Sequence, residues 1–433
     1  MRDYALFVVL ALALLFAVAR PLWGLAIWSW LSYMSPHRLA YGFIRDLSVV
    51  QPAVAVTTVA LLFNWKERMR WRWTPVTLVW VLLVTWYVSM SLFALYPELS
   101  SFEVSQTIKI QLMILATYFI VRDRRGIELV VWVITLSIGF YGFKGGLFTL
   151  ATGGRFMVWG PPGTFIEGNN EVALALTMIL PLLWYLSRQV EGKWIKRGLM
   201  LGFVLCLISV VGSYSRGAYL AIAAVLGAIW WRSDRKLLGA ALVLVATAAA
   251  FGLMPEKFTT RVDSISNYQE DASAQGRINA WGFAVNVALD HPIKGGGYGV
   301  FNRDAFQRYA PDPENFHDAH SIYFEILGEQ GFVGLVLFLA FAALAFFESQ
   351  RIRKATRDDP ERAWAFDLAT ALQASAIAYA VGGAFLGLAY LDLPYQLVAL
   401  VVLTGRVAVP DAKELELSKP ALTAAERRKL RTA

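Results

Sequence analysis

Arg216, Arg277 and His320 are the residues of this chain whose types and settings suit chemistry best. Arg216 stands in VVGSYSRGAYLAIAA, between two apolar runs with almost no loop to separate them. An arginine at membrane depth is costly unless it is paired or faces a polar cavity. Its guanidinium can grip a phosphate through two parallel charge-assisted hydrogen bonds. Arg277 follows Gln275-Gly276 and opens RINAWGFAVNVAL, an amphipathic stretch expected to form a short helix against a membrane face. His320 closes the sequence HDAH just before an apolar run. Histidine, with an unperturbed pKa of about 6.5, is the side chain suited to moving protons near neutrality. Two cations and one base would together hold a diphosphate and take a proton from a hydroxyl.

Each residue also has a plainer role. Arg216 could snorkel to lipid headgroups, Arg277 could be a solvated loop charge, and His320 could be structural. His317 and Asp318 stand close to His320, but their spacing matches no common metal-ligand pattern, so neither a metal nor another cofactor is expected. In GRFMVWGPPGTFIEGNNEVALAL a loop runs into a helix. One of Asn169 and Asn170 suits a helix N-cap. The other, with Arg155 and Glu167, is placed to line the same cavity and hydrogen-bond sugar hydroxyls.

These residues are held by a chain made mostly of apolar runs. It has 57% hydrophobic residues and sixteen Trp among 433 residues, more apolar material than a soluble surface allows. Spans are expected near 47–63, 75–95, 106–121, 126–150, 171–187, 198–213, 217–231, 236–253, 321–347, 363–387 and 391–408, lengths that suit roughly 30 Å of hydrocarbon. The stretch 4–33 is interrupted at Arg20-Pro21 and is read as membrane helix rather than as a cleaved signal peptide, crossing either once or twice, with one crossing preferred. The fold class is therefore an all-α polytopic membrane protein of about 12 transmembrane helices, with both termini cytoplasmic.

Sidedness follows from basic clusters at alternate loops. Lys66 to Arg72, Arg122 to Arg125, Lys193 to Arg197, Arg232 to Lys236 and Arg351 to Arg357 mark the cytoplasmic side. The loops at 97–103, 155–170, 213–216, 254–320 and 389–392 then face outward, which puts Arg155, Arg216, Arg277 and His320 on one face. The net charge of +8 is accounted for by this topology, and no basic stripe for nucleic acid is seen. Residues 1–409 are expected to form one membrane domain, with 254–320 as its large periplasmic loop and 410–433 as a cytoplasmic tail near anionic lipid.

Several other features do not indicate chemistry. Cys206 lies in an apolar run without a partner and suits a buried small hydrophobe. The glycine-rich stretch 292–299, PIKGGGYG, fits neither a phosphate loop nor a dinucleotide turn and is expected to be a flexible turn. The aromatics Tyr298, Phe301, Phe306, Tyr309 and Phe316 either anchor the long loop or meet lipid and sugar. The chain has no HExxH and no CxxC.

The series GTFIEGNNEVALAL, SYSRGAYL, GRINAW, DHPIKGGGYGVF and AHSIYFEILGEQGFVGL resembles the bacterial O-antigen ligase superfamily. That superfamily also holds O-antigen polymerases and protein O-oligosaccharyltransferases. The N-terminal WLSYMSPHRLAYGF is similar to the branch of O-glycosylation ligases associated with exosortase systems. The resemblance implies a glycosyltransferase-C-like membrane fold in the bacterial inner membrane, with a periplasmic active site. It implies transfer of a glycan from undecaprenyl diphosphate to a hydroxyl of the lipid A core oligosaccharide, with inversion and without a metal.

The essential His and Arg of the family fall on His320, Arg216 and Arg277, as general base and diphosphate clamp. The substrate-binding set is then Arg216, Arg277, Arg155, Glu167, Asn169, Asn170, His317 and Asp318. Ser321, where many relatives have Asn, and Glu167-Gly168, where relatives often have Asn-Pro, depart from the pattern and bear on the acceptor. A polymerase or protein oligosaccharyltransferase would use the same donor and the same residues. A more distant alternative is a secondary transporter for a small anion, which would need broken helices and charges within the bilayer.

Overall fold

A computed structural model describes residues 2–232 and 272–410. The expected span 236–253, the first part of the long loop (254–271) and nearly all of the expected tail lie outside the described residues. Among the described residues the chain is helical and has no strand. Five helices are long and apolar enough, by length and composition, to cross a membrane: Arg124–Ala151, Asn169–Gln189, Lys193–Gly212, Ile322–Thr356 and Pro360–Phe385.

The N-terminal stretch is a helical hairpin. Helix α1 (Arg2–Ala17) stops ahead of Arg20, and Pro21 opens α2 (Pro21–Met34) at a position where its missing N–H is no loss. Asp3 Oδ1, at the start of α1, accepts from Gly42 N at 2.9 Å, beyond the end of α2. The chain therefore doubles back at Arg20-Pro21. Helices α3 (Val50–Phe63), α4 (Pro75–Ser91), α5 (Pro97–Ile120), α6 (Arg124–Ala151), α7 (Asn169–Gln189), α8 (Lys193–Gly212) and α9 (Arg216–Arg232) follow. Helix α5 starts at Pro97, so the expected outward loop 97–103 is already helical.

Close helix approach holds the centre together. On α6, Gly142, Gly145 and Gly146 face Cys206, Ser209 and the Leu205 backbone of α8; a Cβ at Gly146 would lie 2.8 Å from the Leu205 carbonyl carbon. Small residues at such spacing let two helices meet backbone to backbone, which is how packing is won in lipid. Cys206 is fully buried there, as a small core residue.

The described part of the long loop is a compact unit. Helix α10 (Ala272–Asp290) buries Ala280, Phe283 and Val287 against α11 (Arg303–Tyr309). Phe283 stacks on Phe306 at 4.3 Å, and Phe306 meets Phe316 edge-on at 4.8 Å. Much of the apolar face of RINAWGFAVNVAL thus closes a small core with α11, while Ile278 and Leu289 stay exposed. The aromatics anchor the loop: Tyr298 is fully buried and packs against Tyr87 and Tyr390.

Helix α12 (Ile322–Thr356) is broken at Gly331, where φ is 69° and ψ is −171°. A break in an apolar helix frees backbone groups that must find partners. The glycine-rich stretch supplies them. Gly296 N donates to Gly328 O and Gly297 N to Glu329 O, both at 2.8 Å, while Phe332 N donates to Pro292 O at 2.9 Å. Gly295, Gly297 and Gly299 all have positive φ, and a Cβ at Gly295 would sit 2.5 Å from Gly331 N. The segment 292–299 is therefore a docked splint for the kink, and the expected flexible turn is corrected. Helices α13 (Ala363–Gly382) and α14 (Asp392–Ala408) complete the described bundle.

Candidate active site

The strap that ends at His320 is fixed to α10. Trp281 Nε1 donates to Ala319 O at 2.9 Å, and the Trp281 ring stacks on Phe324 at 4.9 Å. Asn279 spends its whole amide on the preceding loop: Nδ2 donates to Asp312 O and Asn315 O, and Oδ1 accepts from Asp312 N. Arg277 and Trp281 are one helical turn apart, so the residue that clamps the strap shares a face with the candidate cation. Gly276 lies under the His317 ring, where a Cβ would come within 2.5 Å of Nδ1 and 2.6 Å of Nε2.

His320 itself has φ of 42°, a left-handed conformation that costs a non-glycine residue energy and tends to persist at functional positions. Its imidazole pKa is lowered from the usual 6.5, first by burial and then by the Arg277 charge, with Asp318 pulling the other way and His317 adding to the lowering. The ring is thus favoured in its neutral, proton-accepting form at neutral pH.

The start of α9, which carries Arg216, packs on the turn between α13 and α14. A Cβ at Gly217 would meet Phe385 Cβ at 3.4 Å and Gly382 O at 3.5 Å; one at Gly383 would meet Ile322 Cδ1 at 2.7 Å; one at Gly387 would lie 3.8 Å from His320 N. The turn 382–388 is therefore wedged between the start of α9 and the start of α12. The N-terminus of α7 joins from the other side. Asn169 Nδ2 donates to Ser213 O at 2.8 Å, in the turn that launches α9, and Glu171 is within electrostatic reach of Arg277. Tyr214, with φ of 58°, makes that turn tight and bonds through its hydroxyl to Gly154 O.

Residues 201–339 match the family model described as O-antigen ligase. Residues 201–339 thus carry the O-antigen ligase domain of that superfamily. That domain contains Arg216, Arg277, His317, Asp318 and His320, and the match supports an enzyme of ligase- or polymerase-type glycan transfer in a membrane. Residues 1–191 match a family of unknown function, DUF5935, which takes in Arg155, Glu167, Asn169 and Asn170. No curated protein matches the chain.

The remaining expected ligands divide. Asn169 is at the first turn of α7, but the N-cap is Gly168, and no Asn side chain caps the helix. Asn170 is half-buried in the same turn. Arg155 is exposed on the loop beside Gly154. Glu167 turns back on its own loop, where Oε2 accepts from Gly163 N at 2.8 Å, and it borders a different cavity on the α2 and α5 side. Glu167 is thus not brought to the His320 cluster.

Sequence reasoning missed the acidic side of the site. Glu325 Oε2 accepts from Ala389 N at 2.9 Å and lies 3.7 Å from the position a Gly387 Cβ would take, beside His320 N. It ties the 382–389 turn to the first turn of α12. Glu329, one turn on, is buried and receives Gly299 N at 3.3 Å. Glu103 of α5 is within electrostatic reach of Asp318 and both glutamates. Two glutamates at i and i+4 in an apolar run were the available signal, since such charges are rare in membrane helices and face the interior. Among the described residues no cluster of His, Cys, Asp and Glu could hold a metal ion.

Proposed function

We propose that the chain is an O-antigen ligase that moves a glycan from undecaprenyl diphosphate to a hydroxyl of the lipid A core oligosaccharide, at the periplasmic face of the inner membrane. The observation that supports this reading is that Arg277 acts on His320, which is favoured as a neutral base, while the 382–388 turn joins the start of α9, next to Arg216, to the start of α12, next to His320. Arg216 and Arg277 hold the diphosphate. His320 takes the proton from the acceptor hydroxyl as its oxygen attacks the anomeric carbon from the face opposite the diphosphate. The bond from that carbon to the diphosphate oxygen breaks, its electron pair leaves with the phosphate, and the configuration inverts.

A lipid diphosphate is already a good leaving group, so the protein's task is to hold it, neutralise the charge that grows on it and remove one proton. The two arginines and the histidine match those three needs. Asn169 and Asn170 are placed beside this group as sugar ligands, and Asp318 and His317 flank the acceptor side. Deleting the gene in its host tests the reading: lipopolysaccharide should lose its O-chain while the lipid-linked glycan accumulates. Intact O-chains with an altered length distribution, or loss of a protein glycan alone, would contradict it.

A further inference from the structure

A second cavity, of about 850 Å³, opens between α2, α3, α5 and the 163–167 loop, in the part of the chain whose family has no known function. It has the size of a small-molecule site. One turn of α5 separates it from the His320 cluster. Phe102, Gln106 and Lys109 line the cavity, whereas Glu103 and Thr107, on the adjoining face, look toward Asp318 and Tyr298.

The inner wall is apolar, with Trp28, Leu31, Val54 and Met113, and the mouth carries Arg38, Arg45 and Lys109, all exposed. No ion pair among the described residues includes any of these three cations. The acids of the lining are already engaged: Asp392 Oδ2 accepts from Ser32 Oγ at 2.7 Å, and Glu167 Oε2 accepts from Gly163 N. Arg38 is seated on Gly163, its guanidinium carbon 3.5 Å from the place of a Cβ.

Two buried polar atoms in the same lining lack hydrogen-bond partners, Tyr33 Oη and His37 Nδ1, in residues 5% and 8% exposed. Both atoms have almost no accessible surface, so the packing around them closes them off from the cavity itself. Ser35, between them, is also forced to positive φ, at 45°. An anion whose oxygens meet Arg38, Arg45 and Lys109 and whose apolar part rests on Trp28 and Met113 matches the charged mouth and the apolar wall.

We infer that this cavity binds an anionic phospholipid, with its net-negative headgroup held by Arg38, Arg45 and Lys109 at the mouth and the hydrocarbon along the apolar wall. The site is separate from the glycan-transfer cluster, and its test does not rest on that activity. The purified full chain in detergent is titrated, by native mass spectrometry, with phosphatidylglycerol and with phosphatidylcholine of the same acyl chains. Phosphatidylglycerol should bind at least about tenfold more tightly. The triple variant Arg38→Gln, Arg45→Gln, Lys109→Gln should lose that preference without weakening phosphatidylcholine, while Arg38→Lys with Arg45→Lys keeps it. Equal affinity for the two lipids, or an unchanged preference in the triple variant, overturns the site. Inorganic phosphate tests the lipid part on the unaltered protein. Displacement of phosphatidylglycerol by millimolar phosphate would show a free-anion site instead, and failure to displace it supports the lipid.

Discussion

Gly276→Ala probes how tightly the candidate base is positioned. The added methyl would lie 2.5 Å from Nδ1 and 2.6 Å from Nε2 of His317, against 3.4 Å or more for ordinary contact. The His317 ring, or the strap that carries it, must therefore shift by about 1 Å, and a misplacement of that size in a catalytic constellation can cost about 10²-fold. Arg277 is the next residue on α10, and His320 follows His317 on the strap by less than one helical turn's length, so the shift falls between clamp and base. We expect the transfer rate with lipid-linked donor to fall about 10–100-fold, equivalent to about 1.4–2.7 kcal/mol of barrier. Thermal stability should change little, since Arg277 and His317 are only partly buried. The double variant Gly276→Ala, His317→Ala removes the obstructing ring and should return to the level of His317→Ala alone. A Gly276→Ala enzyme of unaltered rate, or a double variant no faster than Gly276→Ala, would refute the account of how the strap is held.

The remaining expectations concern charge and packing. With His320 lowered by burial and by Arg277, the rate should stay level at neutral pH and fall only as pH drops through a value below 6.5, where the imidazole gains its proton. In Arg277→Gln one cause of that lowering is gone, so the acid limb of the rate profile should move upward in pH, alongside a loss of rate of about 10²–10³-fold if Arg277 stabilises the leaving group. A limb that stays in place would detach Arg277 from the histidine. Gly146→Leu puts a side chain where even a Cβ would be 2.8 Å from the Leu205 carbonyl carbon, an obstacle made of backbone. Helices α6 and α8 must then part, and folded yield and melting temperature in detergent should both drop; wild-type values would contradict the close packing.

Much of this architecture is legible in the sequence because a membrane enforces it. Apolar runs bounded by basic clusters mark α4, α6, α7 and α8 to within a few residues, since charge at a span's end is what the bilayer selects. The start of α5 is hidden because Glu98, Ser101 and Glu103 read as loop, although they form the first turns of a helix. The break in α12 is hidden for a different reason. Gly331 looks like any glycine in an apolar pattern, and only the docking of 292–299 shows that the backbone there has left the helix. Period and hydropathy likewise could not tell that α10 turns much of its apolar face to Phe306. Arg216, Arg277 and His320 stood out by residue type, whereas Glu325 passed unnoticed because its role depends on Ala389, far away in the chain.

His320→Ala tests the central claim most directly. Purified enzyme, undecaprenyl diphosphate glycan and lipid A core are combined, and ligated product is followed with excess EDTA present throughout. A positioned base contributes about 10²–10⁴-fold, so the variant should be slower by that factor while its membrane insertion and melting temperature match the wild type. Ligation at the wild-type rate by a His320→Ala enzyme would show that the proton is taken elsewhere, and the assignment of His320 as the base would fall.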